Sequence, residues 1–209
     1  MKGLRNKIRR FIEAVEWAVP SNIAYLIDGT YSPKLYLKYW DEMDEMTKTK
    51  RVQRLYRVRS QDKKSAFTVN VNREDIGTQH YVHDISLRNC LARFFFDRGM
   101  GGIEDLHFRK PADATLGNLF FEFDNGHMDE KQLRNKIGSY YGGKGSFRVI
   151  FFMAHRTEPA LEYKRLEMLF DILKEVMYKK PNRVIGACYS QFLKDGKIYN
   201  LRGDECKDL

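Results

Sequence analysis

Cysteine is scarce in this chain. Three residues, Cys90, Cys188 and Cys206, are scattered through 209. An odd, widely spaced set makes no disulfide framework and shows no zinc-ligand spacing, so a reducing cytoplasm is the expected location. Long hydrophobic runs are missing too: no apolar stretch approaches the ~18–20 residues that cross a bilayer. The leading Met1-Lys2-Gly3-Leu4-Arg5-Asn6-Lys7 is charged, with no apolar stretch behind it, so no signal peptide and no membrane partner are expected. Internal repeats and low-complexity tracts are absent. Gly142-Gly143-Lys144-Gly145 lacks the spacing of a phosphate-binding P-loop.

What the chain does have is positive charge and aromatic residues. The 37 Lys and Arg exceed the 28 Asp and Glu, for a net charge of +9. Residues 1–74 hold 16 basic and 9 acidic side chains, and the remainder holds 21 and 19, so the excess sits in the first third. Such a gradient points to a polyanionic partner, with nucleic acid first. With 43% hydrophobic and 13% aromatic residues, the chain can bury a real core.

The first region reads as three helices and a hairpin. Ile8, Phe11, Ile12, Val15, Ala18 and Val19 recur at helical spacing. Ser21 starts a short second helix that ends at Asp28-Gly29. Ser32-Pro33 gives an N-cap followed by proline at the first helical position. The third helix carries Tyr36, Trp40, Met43 and Met46 on one side. Residues 54–59 and 67–71 alternate about a polar turn, which predicts a hairpin. This is the order of a winged helix-turn-helix, a domain over 1–74 that would dock on double-stranded DNA. Lys34 and Lys38 would enter the major groove beside Tyr31 and Ser32. Arg51, Arg54, Arg57, Arg59, Lys63 and Lys64 would set the wing against phosphates. Asp41, Glu42, Asp44 and Glu45 make the rear of the third helix acidic. That half must face away from DNA, or the domain docks on protein instead.

From residue 75 onward the pattern changes. A helix capped by Asp84 and closed by Gly99 precedes expected strands at Ile103–Phe108, Ala112–Leu116 and Leu119–Asp124. A helix at Asp129–Tyr141 follows, then an apolar strand at Phe147–Phe152. A long helix at Glu158–Tyr178 and a strand at Val184–Tyr189 come next. Asp195-Gly196 reads as the turn of a terminal hairpin between Gln191–Lys194 and Lys197–Leu201. The expected class is therefore α+β: a winged helix, then a restriction-endonuclease-like α/β domain over 75–209 around a central mixed sheet.

In that order Asp113 opens the second strand and Glu122 lies in the third, with Asp124 two residues on and on the same face. Acids at these places match the PD-(D/E)XK nuclease pattern, in which they hold Mg²⁺ or Mn²⁺ beside a scissile phosphate. The lysine expected two residues after the second acid is replaced by Asp124. Lys136 or Lys131 on the following helix would supply the ammonium, or else the site binds DNA without cutting it.

The chain resembles the replication-relaxation family of plasmids, phages and conjugative elements. The resemblance rests on His83-Asp84, Pro111-Ala112-Asp113-Ala114, Phe121-Glu122-Phe123-Asp124-Asn125-Gly126, then Leu133, Lys136 and Tyr140, and the strand Val149–Phe152. It implies a DNA-binding protein of a mobile element, acting in replication, relaxation or mobilisation and carrying a nuclease-like domain. The residues leave two alternatives open: an active Mg²⁺-dependent endonuclease, and a non-catalytic protein-docking transcriptional regulator. A homodimer or replication and mobilisation proteins are candidate protein partners. His80 and His83 lack a third ligand, Cys90 reads as a buried thiol, and Tyr140-Tyr141 reads as core or as a base-stacking pair.

Overall fold

The computed structural model describes residues 2–57, 65–70, 75–76, 81–108, 112–141, 146–155, 158–176 and 183–207. The protein is mixed α+β and divides into two compact units, Met1–His107 and Phe108–Leu209.

In the first unit, α1 (Lys2–Ala14), α2 (Pro20–Asp28) and α3 (Pro33–Lys48) precede β1 (Gln53–Arg57), β2 (Ser65–Thr68) and β3 (Asp75–Ile76). The i, i+3, i+4, i+7 series Ile8, Phe11, Ile12 and Val15 is fully buried. Gly29 closes α2 at φ +65°, a left-handed conformation that glycine adopts without a Cβ penalty, and its N–H donates to the Tyr25 carbonyl. The Ser32 hydroxyl accepts from the Leu35 N–H at 3.2 Å and Pro33 is the first helical residue, so α3 starts where its cap dictates. β1 and β2 run antiparallel, with Arg54 opposite Phe67 and Leu55 opposite Ala66. β3 adds to β1 in parallel. Ala18, between α1 and α2, exchanges two backbone hydrogen bonds with Phe67, at 2.9 and 2.8 Å.

The helix expected from Asp84 starts at Tyr81 and runs to Arg98 as α4. The sequence reading placed it in the second domain, beyond residue 74. The structure puts it in the first unit, packed on α2, and the division falls after His107. The cause is polar. Arg88, 3% exposed, donates from Nε to the Val15 and Trp17 carbonyls at 3.1 and 3.0 Å, and its guanidinium lies 4.0 Å above the Trp17 ring. Arg93 donates to the Gly29 carbonyl, and the Asn22 amide donates to Asn89. α4 thereby satisfies the backbone of the α1–α2 connection and of the α2 cap.

A 3-10 turn (Ile103–Asp105) and a two-residue strand β4 (Leu106–His107) occupy most of the stretch expected as one strand. Then follow β5 (Ala114–Leu116), β6 (Leu119–Asp124), α5 (Glu130–Tyr141), β7 (Arg148–Met153), α6 (Ala160–Val176), β8 (Val184–Cys188) and α7 (Tyr189–Asp195). The five-stranded sheet is ordered β4-β5-β6-β7-β8. It is mixed: β5 and β6 are antiparallel, while β6, β7 and β8 are parallel. The two successive parallel crossovers set α5 and α6 on one face, where Leu133, Ile137, Leu166 and Leu169 pack on Val149, Phe151 and Met153. Phe121, Phe123 and Phe152 point to the opposite face, against Tyr189 and Phe192 of α7.

The terminal hairpin is not formed. Asp195-Gly196 closes a helix instead: Gly196 sits at φ +73° and its N–H donates to the Phe192 carbonyl at 2.8 Å. An aspartate-glycine pair suits a helix C-cap as well as a hairpin turn. Burial of Phe192 and Leu193 against the sheet decides for the helix. Tyr199 then pairs with Gly186 on the outer edge of β8.

Replacing Arg88 with alanine should destabilise the protein by about 3 kcal/mol, because two buried carbonyls lose their donor. A urea melt checks this; an unchanged midpoint would show that α4 is held by apolar contacts alone.

Candidate functional site

In β6 the even residues face α5 and α6, and the odd ones face α7. Glu122 and Asp124 therefore lie on the covered face, each 1% exposed. Ala114 of β5 pairs with Phe121, so one further step of the register sets Asp113 opposite Glu122. Asp113 is tied in on both sides. Its N–H donates to the Phe121 carbonyl at 3.1 Å, and its Oδ2 accepts from the Phe123 N–H at 2.8 Å.

Both oxygens of Glu122 are engaged from α5. The Tyr140 hydroxyl donates to Oε1, and the Lys136 ammonium lies 2.9 Å from Oε2. Lys136 and Tyr140 are four residues apart on one helix face, so a single helix orientation delivers both. Desolvation pushes the Glu122 carboxyl up to about 7, and the neighbouring Asp113 adds to the rise, while Tyr140 and Lys136 oppose it. Burial, then the Glu122 charge, pushes the Tyr140 phenol well above its ordinary range.

Asp124 belongs to a different contact. Arg165 of α6 donates to its Oδ2 through Nε at 3.0 Å and through a terminal nitrogen as well. The Gly126 and Met128 N–H groups donate to its Oδ1 at 3.0 and 3.4 Å. The expected convergence of three carboxylates is thus replaced by a pair, Asp113 with Glu122, beside a separately held Asp124. Among the described residues no cluster of three His, Cys, Asp or Glu could hold a metal. The hard oxygens of Asp113 and Glu122 would suit Mg²⁺ or Mn²⁺ once the part-exposed Lys136 gave up Oε2, whereas Asp124 is held by Arg165 and two amides. Sequence reasoning missed Arg165, which reaches Asp124 across 41 positions with no local signal. Tyr140 was legible by its spacing from Lys136.

The candidate DNA-binding residues of the first unit fare differently from one another. Lys34, Lys38 and Arg51 are exposed, and the Lys38 ammonium reaches the Tyr39 hydroxyl at 3.1 Å and lies 3.8 Å from the Asp28 carboxylate. Arg54 turns inward: it pairs with Asp44 and lies over the rings of Trp40 and Phe67 at 5.3 and 5.9 Å. Arg54 is therefore engaged within the unit rather than held out toward phosphates. Arg57 ends β1; its side chain, together with Arg59, Lys63 and Lys64, lies outside the described residues, as do His80 and the loop 142–145. Of the acids of α3, Glu42 pairs with Arg5, Asp44 with Arg54, and Glu45 with Lys48, while Asp41 is exposed. His83 sits 3.3 Å from Asp84, and Cys90 is buried.

No protein-family model, curated protein or solved structure matches this chain.

The Glu122 carboxyl carries a pH prediction. Its folded value lies above the ordinary 4.5, so the folded state binds this proton more tightly than the unfolded one. Its stabilising contribution is complete below about pH 4.5 and is lost as pH rises through about 7. Urea midpoints between pH 5 and 8 should fall more steeply for the wild type than for Glu122→Gln. Parallel pH profiles would show that Glu122 has no raised value.

Proposed function

We propose that this chain is a DNA-binding protein of a mobile genetic element, acting in replication, relaxation or mobilisation, as its resemblance to the replication-relaxation family implies. The first unit would be a winged helix on duplex DNA, and the second a nuclease-like domain. The supporting observation is the reciprocal pair of backbone bonds between Ala18 and Phe67. It adds a strand position between the first and second helices to the β1–β2 ribbon, which supports the winged-helix reading. Lys34 and Lys38 then stand exposed in the first turns of α3, the end of a recognition helix that meets base edges. Arg51 is exposed just before β1 and would lie against phosphate.

A gel-retardation assay with random-sequence duplex tests this reading. Binding should weaken steeply with salt, as each neutralised phosphate releases counterions. Binding that is absent, or indifferent to salt, would rule it out.

A second reading, a Mg²⁺- or Mn²⁺-dependent endonuclease, is favoured by one observation: Asp113 stands opposite Glu122 with the Lys136 ammonium within 2.9 Å. Asp113 and Glu122 would be the ligands. A divalent ion there would polarise a phosphate oxygen and acidify water. Lys136, part-exposed, would hold negative charge beside the site, and Tyr140 would keep Glu122 oriented. Incubation with supercoiled plasmid and Mn²⁺ separates the two readings. Nicking that disappears in Glu122→Gln and drops on the order of a hundredfold or more in Lys136→Ala supports the enzyme; plasmid left intact by a chain that retards it supports the binder.

A further inference from the structure

Among the exposed residues of α3, Lys34, Leu37, Lys38, Asp41, Glu45 and Lys48 follow at spacings of three and four in one stripe. Positive charge occupies its first half, Asp41 and Glu45 follow, and Lys48 pairs with Glu45 at the end. Leu37 is 62% exposed between the two lysines, and Tyr31, just before the helix, is 44% exposed. The Tyr31 ring lies 6.3 Å from Tyr25 and 6.4 Å from Tyr36, and the line continues from Tyr36 to Trp40 at 6.2 Å. An aromatic row thus reaches the surface at the basic end of the helix.

We propose that Tyr31 and Leu37 form a platform for an unpaired nucleobase, with Lys34 and Lys38, which on uninterrupted duplex would meet base edges, moved onto the adjoining phosphates. This rests on the DNA-binding reading and narrows its target to a junction of single and double strands. Two physical arguments favour an unpaired base. Bases inside a duplex are already stacked and offer no face to a ring, whereas an unpaired base gains a stacking partner whatever its identity. The charge pattern adds a length limit. Lys34 and Lys38 are about 6 Å apart along the helix axis, room for one or two phosphates. A backbone tracking the whole stripe would run onto Asp41 and Glu45. A short unpaired segment uses the basic half and stops before the acidic one.

Fluorescence anisotropy with the full chain tests the proposal, using a blunt duplex and the same duplex carrying a short unpaired thymidine tail. The tail should tighten binding roughly tenfold, the size of one stacked base. Tyr31→Ala should abolish that gain, so that tailed and blunt probes bind alike, while Tyr31→Phe retains it. Leu37→Ser, at a more exposed position, carries the same expectation should Tyr31→Ala fail to fold, which circular dichroism reports. Equal wild-type affinity for tailed and blunt probes, or equal weakening of both by Tyr31→Ala, would overturn the platform while leaving duplex binding in place. A wild-type chain that binds neither probe would overturn the DNA-binding reading and the platform with it.

Discussion

A carboxyl group that is 1% exposed within a sheet has to find partners inside the protein or stay protonated. Glu122 does some of both: its carboxyl is pushed up to about 7, and its oxygens receive Tyr140 and Lys136. Because both partners come from α5, satisfying Glu122 fixes how that helix is rotated on the sheet. Leu133 and Ile137 then face the core by the same periodicity. Asp124 repeats the arrangement with α6 through Arg165. Glu162, also buried, extends it to α7 by accepting from the Ser190 N–H and hydroxyl. Three buried acids each hold one helix of the second unit in register, and apolar packing fills the space between them.

The first unit uses its cations in a related way. Arg88 and Arg93 hold α4 to the backbone of the α1–α2 connection and the α2 cap. Arg5 and Arg54 neutralise Glu42 and Asp44 on α3. Each of these pairs cancels one cation against one acid, so the basic excess counted in residues 1–74 is unchanged by them. Among the described residues Arg9, Lys34, Lys50 and Arg51 are exposed, and exposed Lys38 has its ammonium 3.8 Å from Asp28. The field of such exposed groups is screened within about 8 Å at physiological salt. A partner would have to engage them at contact distance.

Elements whose evidence is local could be read from the sequence. Ile8, Phe11, Ile12 and Val15 announce α1, Ser32-Pro33 announces the start of α3, and the largely apolar run Phe147–Phe152 announces β7, observed at Arg148–Met153. Asp195-Gly196 misled because the pair serves two turn types, and only the burial of Phe192 and Leu193 chooses between them. The extent of β4 depends on a partner strand, which periodicity cannot see. In the site, Glu122 and Asp124 shared a face on spacing alone, and Lys136 was a candidate because it follows on the next helix. The separation of Asp124 into its own ion pair was hidden, since Arg165 lies in a helix whose sequence carries no sign of what it faces.

The asymmetry between the two partners of Glu122 bears on what the site can do. Tyr140 is 2% exposed and locked among Phe120 and Phe147. Moving it would open the core between α5 and the sheet. The Lys136 side chain is 31% exposed, and its ammonium can return to water by rotating a flexible stem. A hard cation arriving at Asp113 and Glu122 would therefore compete with Lys136 for Oε2 while Tyr140 kept its hold on Oε1. The fold would survive that exchange, because α5 stays anchored by Tyr140, Leu133 and Ile137. The same residues form a helix clasp and, under the proposed endonuclease reading, would also serve as a ligand pair. The balance is set by how strongly Lys136 competes for one carboxylate oxygen.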